Sequence, residues 1–281
     1  MSDARLTTEH VRVLLLQARN TPDMERQEQE CFLERCRIRS DQLQTVNVTR
    51  DPLREEQFAD IDALLIGGAG EYSAHLSYPW MDSLLAFVQA AVERRLPTFG
   101  SCWGHQIIAR ALGGTVVHDS EQAELGCREV RLTEAGRSDP LFSRFPERFM
   151  ANMGHHDRVV ELPPGAVEIA CNEQPFQAFR LADLPVYGTQ FHSELDAKRE
   201  RERLIAYRDY YREDLPNEDD FQRVVDDLAE TTEVDRLLYD FLATYAVDAP
   251  PTPATAEAPP LTDPADLPAP SPDGSVRPES R

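Results

Sequence analysis

Residues 98–106, TFGSCWGHQ, form the stretch that decides the fold. A short apolar run ends at Gly100, a cysteine follows two residues later, and a helix-forming segment begins at Gly104. This G-x-C-x-G pattern predicts a nucleophile elbow, a sharp turn from strand to helix with no room for side chains beside the nucleophile. The turn places Cys102 at a helix N-terminus, where the helix dipole favours the thiolate. A buried structural Cys102 is the alternative, but it does not account for the flanking glycines.

Short apolar runs alternate with helical stretches on both sides of this turn. The sequence predicts strands at 11–16, 63–66, 97–100, 128–132, 167–170, 176–181 and 186–191, and helices at 22–38, 81–95 and 104–112. Gly113 and Gly114 are expected to end the helix that follows Cys102. Alternation of this kind predicts an α/β fold with an open, mainly parallel sheet and helices on both faces.

A cysteine nucleophile needs a base and a group that orients the base, and His192 stands in a suitable place. It follows the strand 186–191, and reactive groups of an open parallel sheet gather at the carboxyl ends of its strands. Glu194 follows two residues later and can accept the imidazole N–H. We therefore predict Cys102 as nucleophile, His192 as base and Glu194 as orienting acid. The remaining cysteines are assigned to structure: 31, 36, 127 and 171.

A glycine-rich loop, GGAG at 67–70, follows the strand 63–66. Glycine lets backbone N–H groups approach a tetrahedral oxyanion closely. The amides of Gly68 and Trp103, the latter just past the nucleophile, form the predicted oxyanion hole. A phosphate-binding loop and a plain tight turn are the alternatives for the glycine-rich loop, although its spacing is not G-x-G-x-x-G.

The motifs GSCWGHQ, FHSE and GGAG resemble those of the class I glutamine amidotransferases, whose triad is Cys, His and Glu. The resemblance continues through ELG (124–126), LTEAGRSDPLF (132–142) and GHHDRV (154–159), and points to the glutaminase domains of GMP synthases and their stand-alone relatives. It implies a flavodoxin-like fold, no cofactor, and substrate-binding roles for Gln106, His155 and Asp157. The run 155–157 does not predict a metal site, because adjacent side chains on a strand point to opposite faces.

The resemblance implies hydrolysis of the glutamine side-chain amide to glutamate and ammonia through a Cys102 thioester. Ser193 replaces the usual proline of the family's base motif, and no SGGxDS-type pyrophosphate loop follows residue 195. Any synthase that uses the ammonia is therefore expected on another chain. A γ-glutamyl amide or peptide hydrolase with the same triad and a catalytically silent partner-binding module stay open as alternatives.

Composition excludes several other chemistries. The 281 residues include 50 acidic and 29 basic side chains, for a net charge of −21, and Lys198 is the only lysine. A phosphate-binding P-loop and a Schiff-base enzyme each need a suitably placed lysine, and an acidic surface disfavours nucleic acid. The odd number of cysteines, without CxxC spacing, argues against a disulfide scaffold. With no apolar run near 18 residues and no signal-peptide pattern, a cytoplasmic protein without membrane contact is expected.

The chain divides into three zones. Residues 1–195 are the predicted catalytic domain, and 196–248, with 16 acidic and 8 basic side chains, show helical spacing of apolar residues. That spacing predicts two or three amphipathic helices packed on the first zone, with Lys198–Arg203 as a solvated face carrying i,i+4 ion pairs. Residues 249–281 contain 10 of the 21 prolines and no aromatic residue, which predicts a disordered tail. Four aromatic residues are expected in core or interdomain packing: Tyr78, Trp80, Tyr210 and Tyr211.

Overall fold

A computed structural model describes residues 8–212 and 215–247, which form eleven strands and seven α-helices. The predicted tail at 249–281 lies outside the described residues. The strands are β1 (Val13–Gln17), β2 (Leu43–Asn47), β3 (Ala63–Ile66), β4 (Thr98–Ser101), β5 (Thr115–His118), β6 (Glu124–Leu132), β7 (Arg148–His155), β8 (Asp157–Glu161), β9 (Ala166–Cys171), β10 (Ala178–Leu181) and β11 (Val186–Thr189). The α-helices are α1 (Pro22–Cys36), α2 (Met81–Glu93), α3 (Trp103–Ala111), α4 (Glu134–Arg137), α5 (Ala197–Ala206), α6 (Glu218–Asp227) and α7 (Leu237–Tyr245).

Nine of these strands form one sheet in the order β2-β1-β3-β4-β11-β10-β9-β6-β7. The first five strands of this order run parallel to one another, which confirms the predicted open α/β sheet. In this half β4 pairs with β11 in a register that sets Ser101 opposite Thr189. Because parallel neighbours end at the same edge, this register brings the segments that follow the two strands together.

The other half of the sheet is antiparallel. Strands β10, β9, β6 and β7 each run antiparallel to their neighbours, and β10 joins them to β11. A separate pair, β5 and β8, lies beside the main sheet. The sequence did not predict β2, β5, β7 or β8, and β2 illustrates the reason. It is an edge strand in which only Val46 and Asn47 are buried, so it lacks the apolar run that reveals a central strand.

Two hydrophobic cores cover the two faces of the sheet. Along the fully buried β1, Leu14 and Leu16 face the core of α2 and α3, whereas Val13 and Leu15 face the core of α1 and α7. A strand buried on both faces shows a continuous apolar run rather than alternation. This double burial explains why β1 is apolar throughout.

The segment after residue 195 contributes to this packing. Helix α7 joins the core that contains α1, placing Phe241 5.3 Å from Phe99 between ring centroids. Helices α5 and α6 form a third apolar cluster around Tyr207, Phe221 and Leu125. The helices therefore lie on the sheet, while the predicted domain boundary at 195 stays a prediction. Within 8–212 and 215–247, no helix is both long and apolar enough to cross a membrane.

Candidate active site

Cys102 lies in a sharp turn between β4 and α3. Its φ of 50° and ψ of −101° are strained values for a residue with a side chain. A Cβ added to Gly104 would lie 2.2 Å from the carbonyl oxygen of Ile66, and one on Gly100 would lie 2.3 Å from the Gly104 carbonyl carbon. The elbow therefore needs both glycines, since any side chain there would collide with backbone.

His192 and Glu194 stand at the end of the neighbouring strand. Nδ1 of His192 is 2.9 Å from Oε1 of Glu194, and both residues are buried. The Cys102 amide donates to the Thr189 carbonyl oxygen at 2.8 Å, which ties the elbow to the end of β11. Cys102 and His192 line the same small cavity of roughly 20 Å³. The structure thus brings the three predicted triad residues together.

His192 and Glu194 are buried, but charged groups surround them and shift their pKa values. Burial raises the pKa of Glu194, but His192, Arg203 and Ser101 together lower it far below its usual value. Burial likewise lowers the pKa of His192, but Glu200, Glu194 and Cys102 outweigh it and hold that pKa well above its usual value. The site therefore favours an imidazolium at His192 beside a carboxylate at Glu194.

Helix α5 supplies two charged residues that the sequence reasoning missed. Nη1 of Arg203 donates to Oε1 of Glu194 at 3.2 Å, and Glu200 lines the small cavity beside Cys102. Glu200 is 2% exposed and Arg203 5%, so the predicted solvated face is wrong for these two residues. The prediction holds for Lys198, which is 82% exposed and pairs with Glu202 at 3.7 Å. Glu200 and Arg203 are three residues apart, which places them on one face of α5. Exposed ion pairs have the same spacing, so the sequence alone does not show that these two residues are buried.

The glycine-rich loop does not present Gly68 as predicted. Its N–H donates to Oε1 of Glu28 at 3.0 Å, and Glu28 is fully buried in a two-bond ion pair with Arg19. An amide engaged by a carboxylate cannot also stabilise an oxyanion, so this conformation does not fit the role predicted for Gly68. Trp103 is the first residue of α3, and its N–H has no acceptor within that helix.

Tyr207 packs against the same loop. Its hydroxyl accepts a hydrogen bond from Nη1 of Arg19 at 3.0 Å. A Cβ on Gly70 would lie 2.4 Å from the Tyr207 ring, so only glycine leaves room for the tyrosine. The segment after α5 therefore helps to shape the loop beside the nucleophile.

A larger cavity of about 290 Å³ opens on the other side of Cys102, and Gln106, His155 and Asp157 all line it. The polar groups of these predicted substrate-binding residues are largely engaged with the protein. Nε2 of Gln106 donates to the Asp157 carbonyl oxygen at 2.6 Å, and Nδ1 of His155 is 3.1 Å from the same oxygen. Oδ1 of Asp157 is 2.8 Å from Nδ1 of His118. In this structure they shape the cavity wall, and their substrate-binding role stays a prediction.

Gln190 is a further polar residue beside Cys102. Its Nε2 lies 3.8 Å from Sγ of Cys102, and its Oε1 accepts from Gln106 at 3.1 Å. The sequence reasoning did not single it out, although it stands two residues before His192. Its position at the end of β11 is the signal that could have revealed it.

Aromatic residues complete the cavity wall. Tyr78, Tyr210 and Tyr211 line the cavity, so their predicted packing role is incomplete, while Trp80 stacks on Tyr78 with ring centroids 5.1 Å apart. Tyr210 is 52% exposed and stands at the mouth. Among the described residues, no group of three or more His, Cys, Asp and Glu side chains could hold a metal ion.

The cysteines outside the site differ from Cys102 in their surroundings. Cys31 and Cys36 are fully buried, and burial raises the pKa of Cys31 to about 12 and that of Cys36 higher still. All five cysteines are free thiols. Such protonated, buried thiols are poor nucleophiles, in line with the structural role predicted for these two.

Comparison with known proteins reveals a consistent set of relatives. The family model for class I glutamine amidotransferases matches residues 22–208. The glutamine-hydrolysing GMP synthase subunits of Pyrococcus abyssi and Thermococcus kodakarensis are 38% and 36% identical over 104 residues, which are 37% of this chain and 53% of each relative. The chain thus spans about half the length, 53%, of the curated relatives it matches.

Solved structures extend the likeness over most of the chain. A glutamine amidotransferase from Methylobacillus flagellatus is 26% identical with a TM-score of 0.61, over 85% of this chain and 92% of that one. A glutamine amidotransferase from Thermotoga maritima has a TM-score of 0.64 over 86% of this chain and 100% of that one. At 21% identity the second likeness shows the fold alone.

Proposed function

Because the chain belongs to the class I glutamine amidotransferase family, we propose that it hydrolyses the side-chain amide of glutamine to glutamate and ammonia. The observation that carries this proposal is the convergence of Cys102, His192 and Glu194 at adjacent strand ends, with the His192–Glu194 contact at 2.9 Å. A thiol, an imidazole and an orienting carboxylate in this order are the groups that nucleophilic amide hydrolysis requires.

In the proposed reaction, the Cys102 thiolate attacks the carboxamide carbon and forms a C–S bond. The negative charge that develops on the carbonyl oxygen is stabilised by the Trp103 amide at the start of α3. His192 donates its proton to the departing nitrogen, so the C–N bond breaks, ammonia leaves and a glutamyl thioester remains. Water then attacks the thioester while His192 takes its proton, which releases glutamate and restores the thiolate.

A second oxyanion donor follows from the glycine-rich loop. The Gly68 N–H serves in this role only when it leaves the Glu28 carboxylate, which accepts its hydrogen bond at 3.0 Å. Losing one oxyanion donor typically lowers the rate by about 10² to 10³. We therefore expect free glutaminase activity to be low in the conformation described, and to rise when the loop changes shape.

The ammonia acceptor belongs to the same proposal. The relatives from Pyrococcus and Thermococcus are named as a glutamine-hydrolysing subunit of GMP synthase, which supports a separate synthase as partner of this chain. The five free thiols suit a reducing compartment, so we place the reaction in the cytoplasm. Capture of a synthase from native cells, followed by a higher glutaminase rate with that synthase, would support this partner; no rise in rate would contradict it.

The activity is tested with the full chain and glutamine as substrate, measuring glutamate and ammonia together. Cys102→Ala removes the nucleophile and should lower turnover by about 10⁴-fold or more, with an unchanged circular dichroism spectrum. Turnover that survives in this folded variant would contradict the triad assignment. A panel of γ-glutamyl amides assayed beside glutamine tests the alternative substrate class. Faster cleavage of a larger amide would identify that amide, and not glutamine, as the substrate.

A further inference from the structure

Glu200 is a buried carboxylate beside the catalytic pair, and the reaction described above does not use it. We propose that Glu200 is a positioning residue for the same reaction, which holds His192 in its imidazolium form and orients the Nε2 edge of the ring. Glu194 already binds the Nδ1 edge, so His192 would lie between two carboxylates. The inference rests on the proposed function only for its kinetic readout.

The burial of Glu200 makes its charge consequential. The residue is 2% exposed, and its Oε2 has no hydrogen-bond partner among the described residues. A buried carboxylate oxygen without a hydrogen-bond partner is energetically unfavourable, so its presence calls for a compensating group. Burial is the largest influence on this carboxyl group and raises the pKa of Glu200, while the His192 imidazole and the guanidinium groups of Arg203 and Arg19 oppose that rise.

Gly154 makes the approach of these groups feasible. Oε1 of Glu200 lies 3.3 Å, and Nε2 of His192 3.9 Å, from the point that a Gly154 Cβ would occupy. The hydroxyl of Tyr211 lies 3.6 Å from that point. The carbonyl oxygen of Gly154 is itself 4.0 Å from Sγ of Cys102. The missing side chain of this glycine therefore leaves room for both the Glu200 carboxylate and the Nε2 edge of His192.

The small cavity of roughly 20 Å³ has Cys102, His192 and Glu200 in its lining. A volume of this size holds about one water molecule. Neither Glu200 nor His192 lines the larger cavity of about 290 Å³. Glu200 shares the small cavity with both His192 and Cys102, and we assign its effect to the His192 ring.

The balance of charges around His192 supports an imidazolium. Glu194 faces the ring from the segment after β11 and Glu200 from α5, while Arg203 donates to Glu194 at 3.2 Å. Arg19 is neutralised by its own ion pair with Glu28 at 2.6 Å. Arg203 thus pairs with Glu194, and a proton on His192 faces the charges of Glu200 and Cys102. Other titratable groups beside this cluster are the Tyr211 and Tyr207 phenols and the buried Cys31 thiol.

This arrangement has a direct kinetic consequence. His192 must carry a proton to release ammonia, so activity falls at alkaline pH when the ring becomes neutral. A carboxylate at Glu200 moves this alkaline limb to higher pH. Without that charge, the ring should lose its proton at lower pH, kcat should fall and KM for glutamine should change little.

The experiment compares the full-length wild type with Glu200→Gln and with the matched control Glu202→Gln. Glu202 lies on the same helix but is 49% exposed, so its replacement removes the same charge from a solvated position. The first readout is the titration of the His192 ring by NMR on ¹⁵N-histidine-labelled protein, with the resonance assigned by its loss in His192→Gln. The second is the pH profile of kcat and kcat/KM for glutamine.

We expect Glu200→Gln to lower the His192 titration midpoint and the alkaline limb by about one pH unit or more, the size of shift that a nearby buried charge produces. Glu202→Gln should leave the His192 titration midpoint and the alkaline limb of the pH profile at their wild-type positions. An unshifted midpoint in Glu200→Gln, or an equal shift in Glu202→Gln, would overturn the proposal. A wild type that titrates as expected but lacks glutaminase activity would instead contradict the proposed function.

Glu200→Asp covers the case in which the glutamine variant fails to fold. The shorter side chain keeps the charge but withdraws it from the ring, so the midpoint should move part of the way toward lower pH. A folded Glu200→Asp with the midpoint of the wild type would overturn the proposal. A merely structural role for Glu200 would change the thermal stability of these variants and leave the His192 titration unmoved.

Discussion

The elbow between β4 and α3 and the helix α5 both supply side chains to the same site, but in different ways. The elbow places Cys102 through a short motif, in which a Cβ on Gly100 would collide with the start of α3 and a Cβ on Gly104 with Ile66 of the adjacent strand β3. Helix α5 places Glu200 and Arg203 by packing against segments that are distant in sequence, including Gln27 of α1 through a bond of 3.3 Å to Arg203. The comparison teaches that a strained turn can be read from a short motif, whereas a buried charge on a helix cannot.

The largest expected effect tests the α5 side of this comparison. Arg203→Met removes the guanidinium from the buried carboxylate of Glu194, and breaking a buried ion pair typically costs about 3–5 kcal/mol. Chemical denaturation should show a loss of stability of that order, and kcat for glutamine should fall because Glu194 orients His192. The control is Lys198→Met on the same helix, 82% exposed, which should change stability by less than about 0.5 kcal/mol. Equal effects of the two substitutions would show that Arg203 does not support the site.

A smaller effect is expected at the elbow. Gly104→Ala places a Cβ 2.2 Å from the Ile66 carbonyl oxygen, and the backbone shift that relieves such a clash typically costs about 1–3 kcal/mol. The shift also displaces Cys102, so turnover should fall by about 100-fold, as a misplacement of about 1 Å can do.

The matched glycine substitution is Gly165→Ala. Gly165 has a φ of 79° but no atom within 4 Å of its added Cβ, so this variant carries backbone strain without a clash. It should lose about 1–2 kcal/mol and keep full activity. Full activity in Gly104→Ala would show that the elbow tolerates a side chain, and the local account of Cys102 would then be wrong.

The smallest effect concerns His105, which follows the elbow on α3 and is fully buried. Burial lowers the pKa of His105 to about 3, so between pH 6.5 and 3 the unfolded chain binds a proton that the folded chain does not. The free energy of unfolding from this group therefore falls as pH falls through that window, by about 1.4 kcal/mol per pH unit. At pH 5.5 the loss is about 1.4 kcal/mol, one unit below the pKa of the unfolded chain.

His105→Gln should remove this dependence, as measured by urea denaturation at several pH values. The stability of the variant should fall less steeply below pH 6.5, while the two profiles run parallel above pH 7.5, where the imidazole is neutral in both states. Identical slopes below pH 6.5 would show that another group carries the acid sensitivity. The test extends the comparison, because His105 lies on the helix that follows the elbow and is buried against Phe179 and Gly188 of the sheet.

The sequence was a good guide wherever an element carries its own pattern. Strand β3 ends at the predicted residue, Ile66, and Gly113 follows the predicted end of α3 with a φ of 92°. Strand β2 was missed because an edge strand has little apolar surface to bury. The three predicted triad residues lie close together because they follow adjacent strand ends, positions visible in the apolar runs.

The glycine-rich loop at residues 67–70 shows what the sequence could not predict. The glycines of residues 67–70 predicted a backbone amide that faces an oxyanion, but the Gly68 N–H donates to the Glu28 carboxylate instead. These residues are 40 apart in sequence, and nothing in the α1 sequence distinguishes Glu28 from its exposed neighbours. Glycines in the sequence show that another group can contact the backbone closely. Only the tertiary packing shows which group makes that contact.

The amino-acid sequence by itself determined the central strands of the parallel half of the sheet and the elbow, and it predicted that Cys102, His192 and Glu194 come together at strand ends. Each of these depends on short-range properties: apolar runs, the steric freedom of glycine and the order of residues at a strand end. The tertiary structure alone decided that Glu200 and Arg203 are buried and that Gly68 is engaged by Glu28. The physical reason is that the burial of a charge depends on the elements packed around it, and those elements come from distant parts of the chain.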